Sequence, residues 1–69
     1  MNYAIVFEKT KTGYSAYAPD LPGYGAAAKT LEELRALVRE GIPFHIDGLR
    51  RVGKPIPPAE TIVETIDVA

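Results

Sequence analysis

Residues 30–53 read TLEELRALVREGIPFHIDGLRRVG, and this stretch decides the fold. It opens with a capping box: Thr30 can accept from the amide three residues on, and Glu33 can reach back to Thr30. Leu31, Leu34, Val38, Ile42, Ile46 and Leu49 then recur at helical spacing. At about 100° per residue they form one apolar stripe, with Gly41, His45 and Val52 inside it. Pro43 removes a ladder hydrogen bond, so the spacing predicts one helix, kinked there. Two shorter helices split at Gly41, with Pro43 opening the second, are the alternative. The stripe keeps its phase across the proline, which favours the single helix. Gly53 is the stop signal.

Upstream of the helix the period changes from 3.6 to 2. Residues 2–9 place Tyr3, Ile5 and Phe7 on one face and Ala4 and Val6 on the other. A strand apolar on both faces is expected at the centre of its sheet. Thr10-Lys11-Thr12-Gly13 suits a hairpin turn, and residues 14–18 form a second strand. Tyr14 and Tyr17 fall on its opposite faces. Pro19-Asp20-Leu21-Pro22-Gly23 breaks the ladder, and residues 24–28 make a short third strand, although their alanines also suit a helix.

Downstream, residues 54–58 form a stiff proline-rich connector. Residues 61–68 read as a final strand, with Ile62, Ile66 and Val68 on one face beside Glu64. The expected architecture is therefore α+β, β-β-β-α-β, as one domain over residues 1–69. Three strands in a meander and a right-handed crossover give a four-stranded mixed sheet of order 3-2-1-4, with the helix on one face. The other face, left uncovered with apolar groups on it, suggests a homodimer.

Composition narrows the function. The chain has 69 residues, no cysteine and a net charge of −1, from eight Lys+Arg against nine Asp+Glu. Disulfides, thiolate metal sites and a cysteine nucleophile are excluded. So small a chain is marginally stable alone and rarely encloses a cofactor pocket, so no cofactor is expected. The absence of a basic excess argues against direct nucleic-acid binding. Arg50, Arg51 and Lys54 are the one basic cluster, and a cationic last helical turn accounts for them. No signal peptide or transmembrane run is visible, so a cytoplasmic protein with no membrane partner is expected. Few thermolabile side chains and six prolines fit a thermophile.

The polar residues form no catalytic constellation, and the chain is not expected to be an enzyme. His45 has Gly41, Ile42, Gly48 and Leu49 at helical spacing, none of which can orient an imidazole. Ser15 lies mid-strand without a nucleophile elbow, and the glycines match no phosphate loop. The carboxylates do not converge as a metal site requires, so no metal is expected.

The segment Gly13-Tyr14-Ser15-Ala16-Tyr17-Ala18-Pro19-Asp20-Leu21-Pro22-Gly23 resembles the HicB-like antitoxin family. The resemblance continues through Thr30-Leu31-Glu32-Glu33, then Phe44-His45-Ile46-Asp47-Gly48-Leu49 and Gly53-Lys54-Pro55-Ile56-Pro57. It implies a partial ribonuclease-H-like fold and an antitoxin role: masking a small basic HicA-like toxin that cleaves RNA. Many relatives carry a C-terminal helix-turn-helix or ribbon-helix-helix domain, and no such DNA-binding domain is expected within residues 1–69. The family often has Gly-Asp before the capping threonine, where this chain has Ala28-Lys29.

Asp20, Leu21, Pro22 and Tyr24 are the expected partner contacts, because a turn between prolines presents rigid side chains. A purely structural turn is the competing account of that loop. A homodimeric scaffold without a toxin is the alternative function.

Overall fold

A computed structural model describes residues 2–69. Three strands and one helix follow in the order β1 (Val6–Lys9), β2 (Tyr14–Tyr17), β3 (Gly25–Ala28) and α1 (Leu31–Arg51). The strands form an antiparallel meander of order β1-β2-β3. Phe7 pairs with Ala16 and Ala16 with Ala26, so those three side chains share a face. That face carries the helix: Ala16, Leu34 and Val38 are buried together, with Ile5, Tyr14, Ala26, Ala28 and Ile42 packed around them.

Local chemistry sets the boundaries. The hairpin loop closes with the Thr10 amide donating to the Gly13 carbonyl at 2.9 Å, and the Gly13 amide returns to the Thr10 hydroxyl at 3.1 Å. Gly13 is obligatory for a second reason: a Cβ there would collide with the Ala28 carbonyl oxygen and lie 2.8 Å from the Lys29 Cα. At the other end of β2, the Ala18 carbonyl accepts from the Leu21 amide at 3.0 Å and so leaves the ladder. This limits β1 to Val6–Lys9 and excludes residues 2–5 from the expected longer strand.

The helix starts and stops as its sequence predicts. Thr30 accepts from the Glu33 amide at 3.2 Å, and its hydroxyl donates to the Glu33 carboxylate at 3.1 Å. At the far end the Gly53 amide donates to the Arg50 carbonyl and the Lys54 amide to the Leu49 carbonyl, at 3.1 and 2.9 Å. This is a Schellman motif, and it requires the left-handed φ of 72° at Gly53. Pro43 lies inside one continuous helix, as the phase of the stripe implied. Val52 departs from that stripe: it caps the helix and is exposed.

The expected fourth strand and the order 3-2-1-4 are not observed. Residues 54–69 join no sheet, which leaves β1 at an edge rather than in the centre. Beyond Lys54 the backbone amides make no ladder bond; those of Glu60 and Thr61 go to the Asp20 side chain instead. Ile62, Ile66 and Val68 remain more than 80% exposed. The β-forming composition is present, but no strand of this chain pairs with it. The helix packs over β2 and β3 and leaves β1 largely unroofed. On the uncovered side of the sheet stand Val6, Glu8, Ser15, Tyr17, Gly25 and Ala27, a sparse apolar set.

Candidate functional site

The loop between β2 and β3 is built from two consecutive turns. The second spans Leu21 to Tyr24, with the Tyr24 amide donating to the Leu21 carbonyl at 3.1 Å. Pro22 then sits where a fixed negative φ is needed, and Gly23 adopts φ 86°, the pair a type II turn requires.

The four loop residues named from sequence serve different purposes. Leu21 is buried, at 1% exposure, and anchors the loop from beneath. Tyr24 is half-buried and packs edge-to-face on His45, with ring centres 5.6 Å apart. Its ring also occupies the space above Gly41, where a Cβ would collide with the Tyr24 hydroxyl. Pro22 stands exposed at the tip.

The Asp20 carboxylate bonds to the chain beyond the helix. One carboxylate oxygen accepts from the Glu60 and Thr61 amides at 3.0 and 2.9 Å, and the other from the Thr61 hydroxyl at 2.7 Å. The Thr61 amide is the main reason that the carboxyl is held below its ordinary value of 3.8, with the Thr61 hydroxyl and Glu60 amide adding to it. No sequence signal announced this contact, which spans forty residues of chain.

The helix surface carries a second stripe, on the side away from the buried one. Glu33, Leu37, Glu40, Phe44, Asp47 and Arg51 follow at alternating spacings of four and three, which places them on one outward stripe. Phe44 is 81% exposed and Leu37 46%. Glu40 and Asp47 flank Phe44 one turn away on either side, and Asp47 pairs with Arg51 at 3.0 Å. The opposite flank, with Arg35, Arg39 and Arg50 against Glu32, is basic. Sequence alone contained the signal: an aromatic off the apolar stripe, between two carboxylates.

His45 lies between these features and packs on Tyr24. Among the described residues no cluster of His, Asp and Glu is arranged to hold a metal ion. No described helix is long and apolar enough to cross a membrane. A groove of about 280 Å³ opens between Tyr3 and the Ile42, Pro43, Ile46 and Arg50 side chains of the helix.

A three-stranded meander packed under one capped helix leaves one aromatic side chain exposed between two carboxylates. The family comparison places this fold. Residues 3–68 match the model of the HicB-like antitoxin of bacterial toxin–antitoxin systems, and the chain belongs to this family. It is 36% identical over 67 residues, 97% of its length, to an uncharacterised 14.9 kDa protein of Haemophilus phage HP1 from the rep–hol intergenic region. The chain spans half the length of that relative. It is also 40% identical over 53 residues to a UPF0150 protein of Archaeoglobus fulgidus, covering 75% of this chain and 77% of the relative. No solved structure matches the chain.

Proposed function

We propose that this protein is the antitoxin of a HicAB-type pair, a cytoplasmic protein that binds a small basic HicA-like toxin and occludes its RNA-cleaving site without catalysis of its own. The family match over residues 3–68 supports the antitoxin role. One observation carries the choice of surface: Phe44 is 81% exposed between Glu40 and Asp47. An aromatic anchor ringed by carboxylates fits a cationic partner, because the ring supplies burial while the charges steer encounter.

The Asp20–Tyr24 loop borders this surface. Gly41, Phe44, His45 and Gly48 share a helix flank by spacing, and Tyr24 docks on two of them. In this reading Pro22 reaches the partner, while Leu21 and Tyr24 fix the loop and Asp20 ties down the chain beyond the helix. The toxin contacts are thus the loop tip and the acidic helix stripe together.

Co-expression with the small basic protein encoded beside it is the test. A complex that co-elutes in gel filtration and suppresses toxicity supports the reading. Separate elution with persisting toxicity rejects it. The second reading, a homodimeric scaffold without a toxin, draws on the apolar side chains that the fold leaves uncovered at β1 and residues 62–68. Self-association is part of both readings.

A further inference from the structure

Three features of the fold are each incomplete, and they complete one another. The first is an open edge. β1 ends the sheet, so one side of residues 6–9 presents unpaired backbone groups, a pairing template that folded proteins normally cover. The second is the groove beside it. Tyr3 leads into β1, and with Ile42, Pro43, Ile46 and Arg50 it lines about 280 Å³ of open space beneath the second half of the helix. That volume falls short of the ~300–1,000 Å³ usual for small-molecule sites. A strand laid along β1 would direct every second side chain into it. The third is residues 61–68, TIVETIDV, which belong to no helix and pair with no strand. Ile62, Ile66 and Val68 alternate onto one face and are 85%, 83% and 83% exposed.

The segment does not fill the vacancy in its own chain, and the reason is geometric. The Tyr3 hydroxyl donates to the Pro57 carbonyl, which places residue 57 beside the start of β1. Three residues later Glu60 and Thr61 are held by Asp20, in the loop that follows β2. Between these two anchors the chain crosses the end of the sheet and leaves the β1 edge. Residues 62–69 then continue from Asp20 with no ladder partner.

From this we infer that residues 61–68 form an exchanged arm, which pairs with the free β1 edge of a second copy and lays Ile62, Ile66 and Val68 into that copy's groove. The occupant matches the site in length and in chemistry. Eight arm residues at about 3.3 Å each span the eight residues 2–9 that lead into and form β1. The arm is rich in Thr, Ile and Val, which suit a pleated ladder. Reciprocal exchange gives a closed two-fold dimer, in which each copy covers the other's edge. The groove flank lies opposite the Phe44 stripe, so the dimer leaves the proposed toxin surface free. This inference rests on the self-association reading and specifies its contacts.

The test uses the full chain and the variant Ile66→Asp. Ile66 is exposed in the single copy, so the variant leaves the helix and core intact. Light scattering on both proteins and hydrogen exchange at the amides of residues 62–68 are measured together. Expected is a wild-type dimer with protected arm amides, and a variant with half the mass and unprotected arms. A dimer that persists in Ile66→Asp with unprotected arms overturns the exchange and leaves self-association standing. A wild-type monomer overturns both. Protected arm amides in a monomer also overturn the exchange, because the arm would then pair with β1 of its own chain.

Discussion

The ring of Tyr24 fills the space that Gly41 leaves open on the helix, with its Cε1 and Cζ atoms 3.2 Å from where a Gly41 Cβ would stand and its hydroxyl nearer still. A glycine mid-helix costs about 1 kcal/mol relative to alanine. Here that cost lets the β2–β3 loop pack onto the helix and on His45. Gly41→Ala gains helix propensity but must displace the ring, an overpacking cost of about 1–3 kcal/mol. The expected result is a net loss of about 1 kcal/mol in urea unfolding with an unchanged slope. In a Tyr24→Phe background the nearest clashing atom is gone, and Gly41→Ala becomes neutral or stabilising. Equal effects in both backgrounds would show that the contact is not the cause.

The Asp20 clamp has a defined acid limit. Its carboxyl is held below 3.8 because the charged form accepts from Thr61 and Glu60. A folded-state pKa below the unfolded one contributes stability above the unfolded value, and that contribution is lost as pH falls through the lower folded value. The clamp is therefore complete at neutral pH and is lost only as the pH falls below the ordinary carboxyl range. The Thr61 amide resonance followed on acidification should shift with a midpoint below 3.8. A midpoint at or above it contradicts the clamp. Asp20→Asn should raise hydrogen exchange at Glu60 and Thr61 and remove this acid-dependent part of the stability.

Thr30 satisfies the Glu33 amide at the helix start. Thr30→Ala removes that acceptor and should lower stability by about 1 kcal/mol. Among the described residues the buried core is Ala16, Ala18, Leu21, Leu34 and Val38, which leaves little margin for such a loss. A midpoint unchanged in urea titration would mean that water or the Glu33 side chain replaces the cap.

Leu34→Ala and Phe44→Ala separate core from surface. Leu34 is fully buried, and its truncation should cost about 2–5 kcal/mol. Phe44 is exposed, so its truncation should change stability by less than about 0.5 kcal/mol. A large loss at Phe44 would place it in a contact other than a partner surface.

The helix and its ends were legible because their signals are local: a cap three residues from its partner, a stripe with one period, a glycine at the stop. The hairpin and the Pro22-Gly23 turn were legible for the same reason. Asp20 was not, because its partners at Glu60 and Thr61 lie far along the chain and backbone amides leave no mark in composition. Gly41 falls in the apolar stripe of the single helix and also offers the alternative split, and neither reading reveals that it is the space for a tyrosine from another element. Residues 61–68 carry a strand's pattern, but pattern does not specify which chain supplies the neighbouring strand. Phe44 lies off the buried stripe, so its exposure between Glu40 and Asp47 does not show in the period that defines the helix.

RNA cleavage by the cognate toxin, measured while this chain is titrated in, tests the central claim most directly. The account predicts inhibition complete near one antitoxin chain per toxin. It also predicts that Phe44→Asp, with stability unchanged, weakens inhibition by at least about 30-fold, the loss of a hot spot worth about 2 kcal/mol or more. Cleavage that continues undiminished with wild-type chain in excess would contradict the account.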